Sequence, residues 1–276
     1  MLNFFQSFNP DPILFYWNGI KVHWYGFLIV IGIILATSIA IKLASYYKIS
    51  KELILDLVFW LIIGGVVGAR IYHIGLEYNY YLNNPWETFK IWEGGLAIHG
   101  AIIAGIIILL LFARFSSGLS ENYKKNFWLL ASIAAPCLML SQAIGRWGNY
   151  FNQELFGRPT DLPWGIAIDV ANRPLNYLES EYFHPTFLYE SLGNLLIFFI
   201  LIGIHIFLIK KQKQNWEVVV ITYLILYSLL RFTTEIIRID PTPMAWGLRF
   251  PQVISILIII FALLLTVPPI RRKITR

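Results

Sequence analysis

The chain has 276 residues, of which 57% are hydrophobic and 14% charged, with a mean hydropathy of +0.62. That balance excludes an ordinary soluble domain and predicts a polytopic membrane protein. The net charge of +6 would suit nucleic acid, but the basic residues cluster at the ends of apolar stretches, where they set topology, so no nucleic-acid partner is expected.

The first 20 residues hold Asp11 and neither Lys nor Arg, so the basic region of a cleavable signal peptide is missing and the first apolar stretch is expected to direct insertion itself. About seven stretches are long enough to cross roughly 30 Å of hydrocarbon as helices. They run approximately from Tyr25 to Lys42, Leu53 to Gly75, Ala97 to Phe115, Phe127 to Gly145, Pro185 to Ile209, Glu217 to Ile239 and Pro251 to Pro268. The expected fold is therefore an all-α integral membrane protein, read as a single membrane domain over residues 1–276. No internal repeat or polar linker divides it.

Thirteen of the 22 basic residues follow alternate spans. Lys42, Lys48 and Lys51 follow span one, and Arg114, Lys124 and Lys125 span three. Lys210, Lys211 and Lys213 follow span five, and Arg271, Arg272, Lys273 and Arg276 end the chain. Such clusters mark the cytoplasmic side, which places the N-terminus outside and the C-terminus in the cytoplasm. Two outer segments are long enough to have structure of their own: Leu76 to Gly95, and Arg146 to His184, which is expected to form a small extracytoplasmic head between spans four and five. The only cysteine, Cys137, lies within span four and reads as a small buried packing residue; it excludes an intrachain disulfide and a cysteine-based metal cluster.

The nine remaining basic residues, Lys21, Arg70, Lys90, Arg146, Arg158, Arg173, Arg231, Arg238 and Arg249, all fall in the outer half of the membrane or beyond it. Seven are arginines, whose planar fork suits phosphate. In span six, Tyr227, Arg231, Glu235 and Arg238 lie at i, i+4, i+8 and i+11, one helical stripe that must face a polar interior. An ion-pair ladder between helices would produce the same stripe. Span two carries Gly64 and Gly68 at GxxxG spacing, read as close helix packing, and then Arg70, at a helix end where it can snorkel. Span three opens with GGLAIHG, placing His99 at the outer face among glycines; a histidine suits proton transfer near neutral pH, and an interfacial histidine is also often structural. Span four ends in GRWGNYFNQELFGRPT, where Arg146, Asn149, Asn152 and Glu154 crowd donors and acceptors at a membrane exit, as a lipid headgroup requires.

These motifs, together with HWYG at His23 to Gly26, HPTFLYE at His184 to Glu190 and RFTTEIIR at Arg231 to Arg238, resemble the prolipoprotein diacylglyceryl transferase family over nearly the whole chain. The resemblance implies transfer of the diacylglyceryl group of phosphatidylglycerol to the lipobox cysteine of a prolipoprotein signal peptide. A thioether forms and glycerol 1-phosphate leaves, as the first step of lipoprotein maturation in a bacterial cytoplasmic membrane. No metal or organic cofactor is implied. It further implies that Arg146 binds phosphatidylglycerol with Asn149 and Glu154 beside it, and that Tyr25, His99, Arg231 and Glu235 surround the reaction centre; Asn152, Arg238 and Tyr227 are expected to bind the same lipid. Two positions depart from the family pattern: Ser132 stands where an aspartate is usual, four residues before Pro136, and Ala101 follows His99–Gly100 where a second glycine is usual. A transporter for anions would predict symmetry between the two halves, which the sequence does not have. A metal-dependent phosphotransferase would want a close acidic pair in the outer half, and none is present there.

Overall fold

The computed structural model describes residues 4–7 and 10–267. The basic cluster Arg271, Arg272, Lys273 and Arg276, and the expected end of span seven at Pro268, lie outside the described residues. Among the described residues, six helices are long and apolar enough to cross a membrane: α1 (Trp24–Tyr46), α2 (Lys51–Leu76), α3 (Ile98–Phe115), α4 (Tyr123–Phe151), α5 (Thr186–Lys210) and α6 (Glu217–Ile237). A seventh, α7 (Phe250–Leu264), has 15 residues. At 1.5 Å per residue it rises about 22 Å, short of a full crossing by itself.

The helices begin where their sequences allow. Ser50 caps α2, its hydroxyl accepting from the Leu53 N–H at 3.2 Å. Pro251 occupies the first turn of α7, where the missing donor costs nothing, and the Gln252 side chain accepts from the Arg249 N–H at 3.1 Å. The fold is all-helical in its long elements, as expected, with short ribbons added. Three antiparallel ribbons stand outside the long helices: β1 (Ile13–Trp17) with β2 (Ile20–His23), β3 (Ile166–Ala167) with β4 (Tyr182–Phe183), and β5 (Met244–Ala245) with β6 (Leu248–Arg249). In each, chain that has left a helix pairs its own backbone groups. The first is closed by Asn18 and Gly19, both at positive φ (46° and 81°), the conformations a two-residue hairpin turn demands.

The chain forms two compact units, one from the described residues of Met1–Ser38 and Ala134–Arg272, the other from Ile39–Ile133. In the latter, α2 and α3 pack through glycines. A Cβ at Gly68 would overlap Ala104 and the Gly100 carbonyl, and one at Gly100 would overlap the Gly68 carbonyl and Tyr72. The GxxxG spacing is thus a packing device. Gly100→Val is expected to lower the unfolding midpoint and folded yield, because overpacking costs about 1–3 kcal/mol even where some relaxation is possible. Gly105→Ala should be tolerated, since its Cβ would meet Leu61 at an ordinary 3.8 Å. Equal midpoints for the two variants in detergent would refute this account.

Arg70 belongs to the same unit and is buried. Its guanidinium donates to the carbonyls of Glu87, Thr88 at 3.0 Å and Gly94 at 2.7 Å, and lies 5.1 Å from the centre of the Tyr81 ring. It clamps the outer segment, which contains a short helix, Tyr78–Asn83, and two 3-10 turns. The snorkelling alternative is replaced by an internal one, because carbonyls of the folded segment stand in for water.

In the other unit α5 packs on α6 and α6 on α7. A Cβ at Gly193 of α5 would overlap Leu230 of α6, so the two helices approach closely there. Between α4 and α5, β3, β4 and the 3-10 turns Val170–Asn172 and Leu175–Tyr177 cover a core of Tyr150, Phe156, Ile166, Ile168, Phe183 and Phe187. Arg173 ties this segment together by donating to the carbonyls of Ile168 and Leu178 at 2.8 and 2.9 Å. The boundary expected at Gly145 moves: α4 continues to Phe151, so Arg146 and Asn149 are helical residues. Within α4, Cys137 is buried as expected. In the Ile39–Ile133 unit, Ser132 is buried too and donates its hydroxyl to the Leu129 carbonyl at 2.7 Å, local bonding with no charge involved.

Candidate active site

Three helices and one ribbon of the larger unit bring four arginines onto three carboxylates. Arg146 comes from the last turns of α4, Glu190 from the first turns of α5, Arg231 and Glu235 from the last turns of α6. Arg238 caps α6, Asp240 follows it, and Arg249 ends β6. Glu190 is the hub. One of its oxygens meets Arg146 Nε at 2.5 Å, and the other lies 3.4 Å from Arg231 Nη1 and 3.3 Å from Arg238 Nη1. Glu235 forms a second hub, with Arg231 Nη2 and Arg249 Nε each at 2.7 Å. Asp240 takes Arg238 Nε at 2.7 Å.

Two of the acids are withdrawn from water, with side-chain exposures of 5% for Glu190 and 0% for Glu235, whereas Arg146 and Arg231 each keep 20% and Asp240 24%. Glu190 and Glu235 thus form the floor, and the accessible face holds the guanidiniums of Arg146 and Arg231 with Asp240 at its edge. Burial alone would raise the Asp240 carboxyl, but the hydrogen bond and charge of Arg238, joined by the charge of Arg249, outweigh it and hold its pKa below the usual carboxylate range. Every one of the four guanidiniums thus has a carboxylate partner. Arg146 uses Nε on Glu190 and Nη1 on Asn149, at 3.4 Å, and its Nη2 has no partner among the described residues.

Asn149, buried, donates to Glu154 Oε1 at 2.8 Å, and Asn152 donates to the same oxygen at 3.2 Å. The exit residues are therefore one network with Arg146. Left-handed turns at Gln153 and Leu155 (φ 51° and 58°) fold the chain back after α4. Gly157 then slips between α5 and α6: its N–H donates to the His184 carbonyl at 2.9 Å, and a Cβ there would overlap Ile237 and His184. Tyr25, at the start of α1, lies with its ring against Gly148, where any side chain would overlap it, and so sits two residues along α4 from Arg146. Tyr227 lies one turn from Arg231 on α6, its ring stacked on Tyr223 at 5.9 Å.

Among the expected site residues, Arg146, Asn149, Asn152, Glu154, Arg231, Glu235 and Arg238 thus belong to connected polar networks; Tyr227 lies one turn from Arg231, and Tyr25 meets α4 at Gly148, a position that does not share a helix face with Arg146. His99 belongs to the other compact unit, exposed at the start of α3, with its ring 5.7 Å from that of Tyr72. Sequence reasoning missed Glu190, Asp240 and Arg249. Glu190 was visible as an acidic residue one turn inside an apolar span, where a charge demands a partner; Asp240 and Arg249 carried no comparable signal.

The sequence that builds this site has counterparts in known proteins. The family model described as prolipoprotein diacylglyceryl transferase matches residues 12–268. A Synechocystis sp. protein named phosphatidylglycerol–prolipoprotein diacylglyceryl transferase is 42% identical over 93% of this chain and 89% of its own. Proteins of the same name from Synechococcus elongatus (43% identical, over 94% of this chain and 87% of that one) and Acaryochloris marina (42%, over 90% and 87%) are similar to the same extent. With the match running from the first hairpin to the end of the described residues and taking in every member of the arginine network, this chain belongs to the prolipoprotein diacylglyceryl transferase family.

Proposed function

We propose that this chain transfers the diacylglyceryl group of phosphatidylglycerol to the lipobox cysteine of a prolipoprotein, and that the arginine cluster holds the phosphate throughout. The cysteine sulfur attacks the glyceryl carbon that bears the phosphate ester. The carbon–sulfur bond forms, the carbon–oxygen bond breaks, and glycerol 1-phosphate leaves with the electron pair. Arg146 and Arg231 bind the phosphate more tightly as its charge grows on departure, which is differential stabilisation of the transition state. Glu190 and Glu235 fix the forks from beneath, while Asn149, Asn152 and Glu154 orient Arg146 and accept from the glycerol hydroxyls. Arg238 anchors Glu190. Tyr25 and Tyr227 border the site. His99 takes the thiol proton, since a thiol with a pKa of about 8.5 needs a base or a cationic field to become the nucleophile.

The observation that carries this reading is the unpartnered Nη2 of Arg146, on a guanidinium that, like that of Arg231, stays 20% exposed over the buried Glu190. An ion-pair ladder built for stability alone would have no reason to leave a guanidinium fork open at its exposed edge. The purified protein with labelled phosphatidylglycerol and a lipobox peptide should give thioether-linked product. Arg146→Lys keeps the charge and loses the fork, so it should remain folded and transfer severely more slowly. A wild-type rate in that variant would refute the phosphate role.

The same reading places the protein in a bacterial cytoplasmic membrane with the N-terminus outside, the head between α4 and α5 extracytoplasmic, and α7 completing a seventh crossing. Support comes from Lys124 and Lys125 in the first turn of α4, Lys210 and Lys211 at the end of α5, and the absence of such clusters at the opposite ends. Cys137 is buried, so introduced cysteines report cleanly. An impermeant thiol reagent applied to intact spheroplasts should label Asp161→Cys and spare Lys124→Cys. Labelling of both would refute the topology.

A further inference from the structure

The ion-paired trio Arg146, Glu190 and Arg231 stands on α4, α5 and α6, and each helix carries another polar residue about one turn further into the membrane-spanning part. On α4 it is Gln142, four residues before Arg146; on α5 it is Asn194, four after Glu190; on α6 it is Ser228, three before Arg231. Residues three and four apart share a helix face, so the second trio lies on the same faces as the first. Two contacts tie the helices at this depth. Ser191 donates to the Ala143 carbonyl at 2.7 Å, and Gly193 abuts Leu230.

All three carry buried polar atoms with no hydrogen-bond partner: Gln142 Oε1, both amide atoms of Asn194, and Ser228 Oγ. Asn194 is 0% exposed and Ser228 1%. A buried polar group left unpaired is costly, and three at one level on converging helices are not accidental. Below Asn194 the buried face of α5 turns apolar through Ile197, Phe198 and Leu201. From the head inward, this face therefore runs from cations to neutral hydrogen-bonding groups to hydrocarbon. That is the order of groups along a diacyl phospholipid: phosphate, ester carbonyls, acyl chains. The layer reaches the surface at Gln142 and Tyr227, both half-buried.

We propose that Asn194 and Ser228, at the level of Gln142, form an ester-recognition layer, in which the Asn194 amide N–H and the Ser228 hydroxyl donate to ester carbonyls of the donor lipid while the cluster above holds its phosphate. Ester carbonyls only accept, so the recognising atoms are Asn194 Nδ2 and Ser228 Oγ–H. The layer makes Asn194 a specificity-determining residue that selects ester-linked over ether-linked lipid. The proposal rests on the cluster being the phosphate site.

Transfer kinetics with diester phosphatidylglycerol and with its dialkyl ether analogue, which keeps the phosphate and lacks the carbonyls, test it. The wild type should show a lower KM for the diester, by about 2- to 12-fold per hydrogen bond. Asn194→Leu, similar in volume, should raise the diester KM to that of the diether, leaving kcat and the diether KM unchanged. Ser228→Ala should do the same in smaller measure, and decides the question if Asn194→Leu does not fold. Arg146→Lys should impair both donors alike. A wild type that uses both donors equally, or an Asn194→Leu that slows both equally or neither, overturns the ester layer and leaves the phosphate reading standing. Normal transfer from both donors by Arg146→Lys would remove the phosphate reading, and the layer with it.

Discussion

Glu190→Gln is expected to lower the unfolding midpoint sharply and to abolish transfer. The side chain is 5% exposed and touches three guanidiniums from α4, α6 and the residue capping α6. Glutamine preserves the volume but leaves those cations facing one another with Glu235 and Asp240 as their only carboxylates. Removing one partner of a buried ion pair typically costs about 3–5 kcal/mol, because the remaining charge stays desolvated. The loss should therefore reflect stranded arginines more than lost attraction. Adding Arg238→Gln to Glu190→Gln removes one stranded cation and should restore part of the midpoint, a coupling that a double-mutant cycle in detergent measures directly. If Glu190→Gln unfolds at the wild-type temperature, Glu190 is not the hub of the network.

His99→Gln is expected to lower single-turnover transfer by about 10²- to 10⁴-fold at saturating peptide, the usual size of general-base assistance, with phosphatidylglycerol binding largely kept. The motivation is its exposed position at the start of α3 and its place in the family motif. A histidine serving structure alone, for instance through its ring contact with Tyr72, would instead reduce folded yield and leave the rate per folded molecule unchanged. Rates across several pH values separate the two. A general base makes the rate rise with pH until the base is deprotonated, a limb that the variant should lose. If the variant keeps the wild-type rate and pH profile, thiolate formation falls to the cationic field of Arg146 and Arg231.

The membrane character and helical periodicity of this chain follow from sequence alone, because apolar runs of some twenty residues have one stable fate in a bilayer: a helix that satisfies its own backbone. The polar stripe Tyr227, Arg231, Glu235, Arg238 was legible for a similar reason, since helix geometry is local and a four-residue spacing fixes a face before any partner is known. The exit motif around Arg146 was legible as chemistry but misplaced as structure, with α4 running on through it to Phe151.

What the sequence could not separate were the seven outer arginines, which are chemically identical until their surroundings are known. Tertiary structure sorts them by what their forks meet. Arg146, Arg231, Arg238 and Arg249 meet carboxylates, Arg70 and Arg173 meet backbone carbonyls and hold loops, and Arg158 is exposed. Only long-range packing decides this, because the hub Glu190 lies 44 positions from Arg146 and 48 from Arg238 in the chain. The hairpin before α1 was written locally in Asn18–Gly19, whereas the ester layer was not. Gln142, Asn194 and Ser228 are unremarked polar residues in three separate spans, and they acquire a common depth only when the charges above them pair.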